Sequence, residues 1–141
     1  MSSSGVFEDV RVGIRLRISA LWIAVLFLFA YGDILGFFQP GQIEEVISGE
    51  ISGIEITDVF LFATSAYVAI ASVMVFLSLV LSPKMNRWAN IVLPILYVAS
   101  IVASVFGESA YFYFLSVVET ALLLTIVRYA WTWPTRSSAE G

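Results

Sequence analysis

The sequence contains no cysteine and no histidine. Without cysteine, disulfides and thiol redox chemistry are excluded, and without either residue so are haem ligation by Cys or His and almost every zinc or copper site. Charged residues are scarce as well, at 13% of the chain. Any chemistry must therefore come from carboxylates, hydroxyls, amides and arginine. We expect no cofactor, no metal centre and no catalytic constellation, and hence no enzyme.

In place of charge, the sequence has long apolar runs. Hydrophobic residues make up 60% of the 141 residues and the mean hydropathy is +0.93, which is outside the usual range of soluble proteins. A helix of about 20 apolar residues crosses a bilayer core of roughly 30 Å. The runs predict four transmembrane helices, near residues 17–38, 58–82, 88–107 and 110–131. The predicted fold class is all-α, a four-helix antiparallel bundle that forms a single membrane domain over residues 1–141.

Two of the three connections between the predicted helices are short. The segments "PKMNR" (83–87) and "GES" (107–109) leave room only for tight turns, so the second, third and fourth helices should be antiparallel neighbours. In the longer connection, 39–57, the part "PGQIEEVISG" (40–49) has apolar residues at helical spacing and predicts a short helix at the membrane interface. For "EISGIEIT" (50–57) we expect an extended return, because an isolated strand is marginal.

The basic residues predict which way the bundle faces. They precede the first helix, separate the second from the third, or lie at the end of the fourth: Arg11, Arg15, Arg17, Lys84, Arg87, Arg128 and Arg136. With four spans these positions share one side, which the positive-inside rule assigns to the cytoplasm. We therefore expect a multi-pass protein of the inner (cytoplasmic) cell membrane with both termini in the cytoplasm. The opposite side is acidic, so the net charge of −4 favours attraction of cations over binding of nucleic acid.

The four tryptophans all fall near the predicted cytoplasmic boundary: Trp22, Trp88, Trp131 and Trp133. An amphipathic indole prefers the membrane interface. Each tryptophan is therefore predicted to be an interfacial anchor.

Small residues at helical spacing predict where the helices approach one another closely. They recur as Gly32 and Gly36 in the first helix, Ser65, Ala69 and Ser72 in the second, and Ala99, Ala103 and Gly107 in the third. Within a bilayer, small residues allow the close packing on which helix association depends. We expect these residues to pack inside the bundle, and the alternative is a dimerisation face.

Two acids lie inside the predicted spans. At about 1.5 Å per residue, Asp33 lies about 24 Å beyond Arg17, and Glu119 lies about 12 Å below Tyr111, close to the midplane. An ionised side chain at that depth costs about 2.5–3.5 kcal/mol on insertion scales, so Glu119 should face the bundle. Ser116 lies one turn away on the same helix. Asp33, Glu119 and Ser116 are therefore a candidate intramembrane polar site.

Two interpretations of these acids remain open. If the first and fourth helices are neighbours, the carboxyls of Asp33 and Glu119 lie at similar depths and could share a proton. Alternatively, each acid is hydrogen-bonded separately by Ser, Thr or Tyr hydroxyls of neighbouring helices.

A second polar set lies at the predicted cytoplasmic end, in "NRWAN" (86–90). Asn86 and Asn90 share a helix face, and Pro94 deprives a carbonyl near residue 90 of its donor, which the Asn90 amide could replace. Arg87 and Trp88 lie where an anionic headgroup would be. Asn86, Arg87, Trp88 and Asn90 are thus a candidate inner-face site for a lipid or ligand headgroup, and the alternative is a turn with an interfacial anchor.

Three segments resemble an uncharacterised family of small prokaryotic four-helix membrane proteins: "YGDILG" (31–36), "NRWANI" (86–91) within "LSPKMNRWANI", and "YAWTW" (129–133). The resemblance extends from about Leu21 to Trp133. It implies four spans and an inner-membrane location, and it supplies no activity, substrate or cofactor. Members of that family often carry an acid within the second helix, whereas this chain has none after Asp58 in that helix.

Two classes of function fit these observations. The first is a membrane protein whose intramembrane acids bind or transport a proton, a cation or a small amphipathic molecule. The second is an accessory or assembly protein that binds another membrane protein through its acidic loop or its small-residue faces. Besides the lipid bilayer, the expected partners are a second copy of the chain or another membrane protein, and not nucleic acid.

Overall fold

The computed structural model describes residue 5 and residues 7–135, and these contain five helices and one two-stranded hairpin. In chain order they are α1 Ile14–Gly36, α2 Gln42–Ile47, β1 Glu50–Ile51, β2 Ile54–Glu55, α3 Asp58–Val80, α4 Pro83–Ser104 and α5 Ala110–Trp131. The predicted all-α fold class is confirmed. Arg136, one of the residues used to predict the orientation, lies outside the described residues.

The four long helices α1, α3, α4 and α5 have 22 or 23 residues each, which makes them about 33–35 Å long. The most apolar 18 residues of each have a mean hydropathy between 1.4 and 2.2. Each helix is therefore long and apolar enough to cross a bilayer core of roughly 30 Å. The chain is a membrane protein with four candidate transmembrane helices.

The start of α4 differs from the prediction. The helix was expected to begin near residue 88, but it begins at Pro83. A proline at the first helical position loses no hydrogen bond. The backbone N–H of Asn86 already donates to the Ser82 carbonyl at 2.8 Å, as in a helix. The predicted turn is thus the first turn of the helix. Only Leu81 and Ser82 connect α3 to α4.

The two ends of the bundle carry opposite charge. We call the end with Arg15, Lys84 and Arg128 the basic end, and the end with residues 39–57 and Glu108 the acidic end. α1 packs along both α3 and α5, and α4 packs along α5. Although α3 and α4 are consecutive and antiparallel, they approach each other closely over little of their length. Of the two neighbouring pairs predicted, α3 with α4 and α4 with α5, only α4 and α5 pack closely.

The acidic-end connection is more structured than expected. The predicted short helix forms as α2, and Gly41 before it has the left-handed φ of 87°. The predicted extended return is wrong, because β1 and β2 pair antiparallel around Ser52 and Gly53, whose φ values of 50° and 73° are those of a type I′ turn. The carboxylate of Glu45 accepts a hydrogen bond from the Gly53 amide at 2.9 Å, which holds the turn against α2.

Trp22 is the exception among the predicted interfacial tryptophans. It is fully buried in the bundle core with Ile18, Val25, Leu123 and Ile126. Seven residues separate it from Arg15, which places it about 10 Å into the membrane rather than at the boundary. Trp88 and Trp131 are exposed.

The small residues divide into two groups. Gly32 lies against Leu115 and Gly36 against Tyr111, so both pack between α1 and α5 as expected. The stripes on α3 and α4 are exposed instead, at Ser65, Ala69, Ser72, Ala99 and Ala103. The prediction that these stripes pack inside the bundle is wrong, because α3 and α4 meet through other residues: Tyr67 with Tyr97 and Ser100, and Ser78 with Asn86 and Asn90.

Candidate functional site

A cavity of about 290 Å³ lies among the four long helices in the half of the bundle nearer the acidic end. All four helices contribute to its wall: Phe29, Gly32 and Asp33 from α1; Thr64, Tyr67 and Val68 from α3; Ser100, Ile101 and Ser104 from α4; Phe112, Leu115, Ser116 and Glu119 from α5. The three residues of the predicted intramembrane site, Asp33, Ser116 and Glu119, therefore line one cavity. Whether the two acids share a proton stays a prediction.

Glu119 is the deeper of the two acids. It lies nine residues into α5, about 14 Å from the acidic end of that helix. Its side chain is 8% exposed and makes no hydrogen bond to any other residue in the described part of the chain. Its oxygens open onto the cavity, so a ligand or solvent there, and not another described side chain, must satisfy this carboxyl.

Asp33 lies at the mouth of the same cavity. It is three residues from the end of α1, about 4.5 Å below that end, and it is exposed. The two acids thus occupy different environments, because Asp33 reaches the surroundings while Glu119 is shielded. Glu119 is the more buried of the two acids, and its carboxylate oxygens open onto the cavity.

The hydroxyls of the wall are oriented by a chain of hydrogen bonds. Tyr97 donates to the Tyr67 carbonyl, and Ser100 donates to the Tyr97 carbonyl at 2.7 Å. A serine hydroxyl has a single proton, so the 2.8 Å bond between the Tyr67 and Ser100 hydroxyls must have Tyr67 as its donor. The hydroxyl protons of Tyr67 and Ser100 are therefore used within the protein.

Two further hydroxyls of the wall are engaged in the same way. Ser104 donates to the Ile101 carbonyl at 3.0 Å, and Thr64 donates to the Phe60 carbonyl at 2.9 Å. Each hydroxyl keeps oxygen lone pairs after its proton is used. Together with the carboxyls of Asp33 and Glu119, these groups make the wall rich in hydrogen-bond acceptors, and among its hydroxyls only that of Ser116 makes no hydrogen bond to a described residue and remains a free donor.

Aromatic rings form the rest of the wall. Phe29 packs on Tyr67 with the ring centroids 5.6 Å apart, and Tyr67 meets Tyr97 edge to face at 4.5 Å. Phe112 lines the cavity from α5. Aromatic faces carry partial negative charge and attract cations.

A separate polar cluster lies in the core nearer the basic end, and it is fully hydrogen-bonded. The Asn90 amide nitrogen donates to the carbonyl and side-chain oxygens of Asn86 at 3.0 and 2.7 Å, and the Asn86 amide nitrogen donates to the Ser78 carbonyl at 2.7 Å. The Trp22 indole donates to the Asn90 side-chain oxygen at 2.7 Å. The prediction that the side-chain amide of Asn90 replaces the donor missing at Pro94 is wrong. That amide is instead engaged by Asn86, Ser78 and Trp22.

The structure divides the predicted inner-face site. Asn86 and Asn90 are completely buried, whereas Trp88 is 53% exposed on the surface of α4. Arg87 turns toward α5, where its guanidinium lies 5.8 Å from the Trp131 ring centroid and donates to the Trp131 carbonyl at 3.5 Å. The two asparagines are brought together, and Arg87 and Trp88 are not part of their cluster.

Sequence reasoning missed most of the cavity wall. Tyr67, Ser100, Ser104 and Phe112 were not part of the predicted site. Tyr67 and Ser100 carry polar groups at mid-membrane positions, which was the available signal. A polar residue at mid-membrane depth does not reveal its hydrogen-bond partner, because the sequence of one helix does not specify which helix it faces.

Within the part of the chain that the structure describes, no three His, Cys, Asp or Glu residues lie together as a metal-binding group. No curated protein and no solved structure matches the chain. A family model does match it over residues 6–139, nearly its whole length. The chain therefore belongs to DUF6326, a family of unknown function.

Proposed function

We propose that this protein binds a cation, which includes the proton, in the cavity between its four long helices, as the binding step of transport across the membrane. The observation that carries the proposal is that Glu119, buried and without a hydrogen-bond partner among the described residues, faces the same cavity as Asp33. No Lys or Arg stands among the described residues that line this cavity. A bound cation would supply the positive charge that balances these acids.

The orientation we propose follows from the charges of the two ends. If the basic end lies in the cytoplasm, both termini are cytoplasmic and Asp33 lies near the outer face of the cell membrane. Cations would then meet the acidic connection first and the cavity next. Below the cavity, the aromatic contacts of Tyr67 and Tyr97 and the polar cluster around Asn90 close the bundle toward the basic end.

Four helices leave little room for a complete alternating-access pathway, so transport would require more than one copy of the chain. Binding at the cavity requires only one copy. For this reason the decisive experiment measures binding, and flux is a second step.

The test is cation-dependent stabilisation of the purified protein in detergent. The midpoint of thermal unfolding is measured with sodium, potassium, tetramethylammonium and benzyltrimethylammonium chlorides at constant ionic strength. At least one cation should raise the midpoint of the wild type, since a ligand that binds only the folded state stabilises it. Glu119→Gln should remove that increase and Asp33→Asn should reduce it.

Glu108→Gln is the matched control, because Glu108 lies in the acidic-end connection and does not line the cavity. It should respond to the cations as the wild type does. The same comparison is made over a range of pH to test the proton. If neither a cation nor a change of pH distinguishes the wild type from Glu119→Gln, the proposed function is wrong.

A second candidate function is supported by the acidic-end connection. Gln39 donates to the Ser109 hydroxyl at 2.6 Å, and Glu45 holds the hairpin turn, so the segment has a defined shape. It nevertheless leaves Ile43, Ile47 and Ile54 exposed. An accessory protein that binds another membrane protein would use such a surface. Deletion of residues 41–55 should then release a copurifying partner, and a clean monomer in mild detergent would count against this function.

A further inference from the structure

We propose that the cation bound in the cavity is an organic monocation with one aromatic or compact apolar group, and that it enters from the lipid through the gap between α3 and α4. This inference rests on the proposed function, because it names the ligand class and the path for the same cavity.

The size and composition of the wall favour an organic ligand over an inorganic ion. The cavity of about 290 Å³ is at the small end of the range for small-molecule pockets. Five of its 13 lining residues have fully apolar side chains: Phe29, Val68, Ile101, Phe112 and Leu115. A bare or hydrated metal ion gains nothing from these side chains, whereas an apolar group on the ligand would bury surface against them.

The polar part of the wall favours a single positive charge. Glu119 is the one buried acid of the cavity wall, while Asp33 is exposed at the mouth. One buried carboxylate balances one positive charge, and the other carboxylate, Asp33, is exposed at the mouth, where solvent weakens its interaction with a second charge. The rings of Phe29, Tyr67 and Phe112 would attract a quaternary or tertiary ammonium group by cation–π interaction.

The free acceptors of the wall support the same class. Tyr67 and Ser100 have committed their protons to other groups of the protein, so they present lone pairs. A neutral ligand that needs hydrogen-bond donors from the wall would find few. An ammonium group requires none, because the acceptors stabilise its charge.

The packing of the helices indicates the path. α1 packs closely with α3 and α5, and α5 packs closely with α4, so the wall is closed along these three seams. α3 and α4 approach closely over little of their length, and the lining residues Thr64, Val68 and Ser104 on these two helices are exposed. In a bilayer those exposed residues face the acyl chains, where the apolar part of an amphipathic cation resides.

The first experiment compares a charged ligand with a neutral molecule of the same shape. Benzyltrimethylammonium and neopentylbenzene differ only in that a quaternary nitrogen replaces a carbon. Binding to the purified protein is measured by isothermal titration calorimetry in detergent, with sodium as the inorganic cation. We expect benzyltrimethylammonium to bind at least about tenfold more tightly than either of the other two, the factor expected for a desolvated charge interaction.

Two pairs of variants identify the groups responsible. Glu119→Gln should weaken binding of benzyltrimethylammonium by more than about tenfold, while Glu119→Asp, which keeps the charge, should retain part of it. Phe112→Leu should weaken binding by about two- to thirtyfold, the range of a cation–π contact. Phe114→Leu is its control on the same helix, since Phe114 is 68% exposed and does not line the cavity. It should bind as the wild type does.

The absence of cysteine allows the path to be tested by labelling. Ser104→Cys places a thiol at the edge of the gap, and Ala103→Cys places one on the adjacent exposed position that does not line the cavity. A membrane-permeant maleimide should label both in proteoliposomes. Benzyltrimethylammonium should slow labelling of Ser104→Cys severalfold and leave Ala103→Cys unchanged.

The outcomes separate this inference from the proposed function. Sodium binding that depends on Glu119, with no binding of benzyltrimethylammonium, would overturn the inference and leave the proposed function standing. Equal binding of neopentylbenzene and benzyltrimethylammonium would overturn the inference by showing an apolar crevice. Binding of benzyltrimethylammonium without protection of Ser104→Cys would overturn the entry path. If no cation binds in a Glu119-dependent way, both proposals fail.

Discussion

The indole nitrogen of Trp22 donates to the side-chain oxygen of Asn90 at 2.7 Å and so connects α1 to α4 inside the core. These helices pack mainly on other partners, α1 on α3 and α5, and α4 on α5. The hydrogen bond is therefore a cross-link between the two close-packed sides of the bundle. It lies in an apolar environment, where an unmade bond leaves a buried polar group unsatisfied.

Trp22→Phe should destabilise the protein. The substitution removes the indole donor and leaves the Asn90 oxygen with only the 3.4 Å bond from Ser78. The expected decrease in the free energy of unfolding is about 1–3 kcal/mol. Reversible unfolding in mixed micelles, followed by far-UV circular dichroism, measures it. Trp88→Phe is the control, since Trp88 is 53% exposed and should change stability little. If the two substitutions lower the free energy of unfolding equally, the hydrogen bond between Trp22 and Asn90 does not stabilise the bundle as a cross-link.

Arg15→Ala should also destabilise the protein, because it removes hydrogen bonds to the carbonyls at the end of α3. Arg15 donates to the carbonyls of Leu79 and Leu81 at 2.9 and 2.8 Å, and its guanidinium lies 5.7 Å from the Trp133 ring centroid. It thereby satisfies carbonyls at the end of α3 that have no partner within the helix and complements the helix dipole there.

The expected loss for Arg15→Ala is about 1–2 kcal/mol in the same unfolding experiment. Arg15→Lys should recover only part of it, because an ammonium group can donate to both carbonyls as Nη1 does but lacks the planar guanidinium that faces the Trp133 ring. Arg11→Ala serves as the charge-matched control, as Arg11 is exposed before α1. A loss as large for Arg11→Ala would mean that only net charge matters.

Gly32→Ala should be tolerated. An added Cβ at this position would lie 3.6 Å from the Leu115 Cδ1 atom, which is an ordinary van der Waals contact. Alanine is also favoured over glycine in a helix by about 0.5–1 kcal/mol. The free energy of unfolding should therefore stay equal or increase by up to about 1 kcal/mol. Gly32→Leu is the contrasting variant, and its larger side chain should destabilise the contact between α1 and α5. A large loss with alanine would show a closer approach of the helices.

Glu119→Leu should stabilise the protein while it abolishes cation binding. The substitution replaces a buried carboxyl that has no partner in the described residues with an apolar side chain, so the free energy of unfolding should rise by about 1–3 kcal/mol. Chemical denaturation without added cation measures the change. Glu108→Leu, in the connection before α5, should have little effect. If Glu119→Leu destabilises the protein instead, the carboxyl contributes to the fold and its assignment to a ligand would lose its main support.

The sequence predicted the long helices well because the bilayer imposes a simple condition on them. About 20 apolar residues and few charges are needed whatever the neighbours are. The depths of Asp33 and Glu119 were accessible for the same reason, since the helical rise converts residue number into distance. Predictions that depend on one helix alone were therefore the more reliable ones.

Predictions that depend on which helix faces which were less successful. The small-residue stripe of Ala99 and Ala103 was predicted to pack against a partner helix, yet it faces outward, because Tyr67 and Tyr97 bridge α3 and α4 instead. Trp22 has the composition of an interfacial anchor but is buried, since Asn90 provides a hydrogen-bond partner 68 positions along the chain. The sequence around Trp22 therefore could not predict this hydrogen bond.

The connection between α3 and α4 has a mechanical consequence. Leu81 and Ser82 are both extended, with ψ values of 151° and 148°, so the two helices leave the basic end from a single short corner. Farther along, the bond between the Tyr67 and Ser100 hydroxyls acts as a latch. A rotation of about 6° at the corner would displace the far end of a 22-residue helix by about 3 Å. The pair is thus a lever hinged at one end, in which a small angular change at the corner is amplified at the mouth of the cavity.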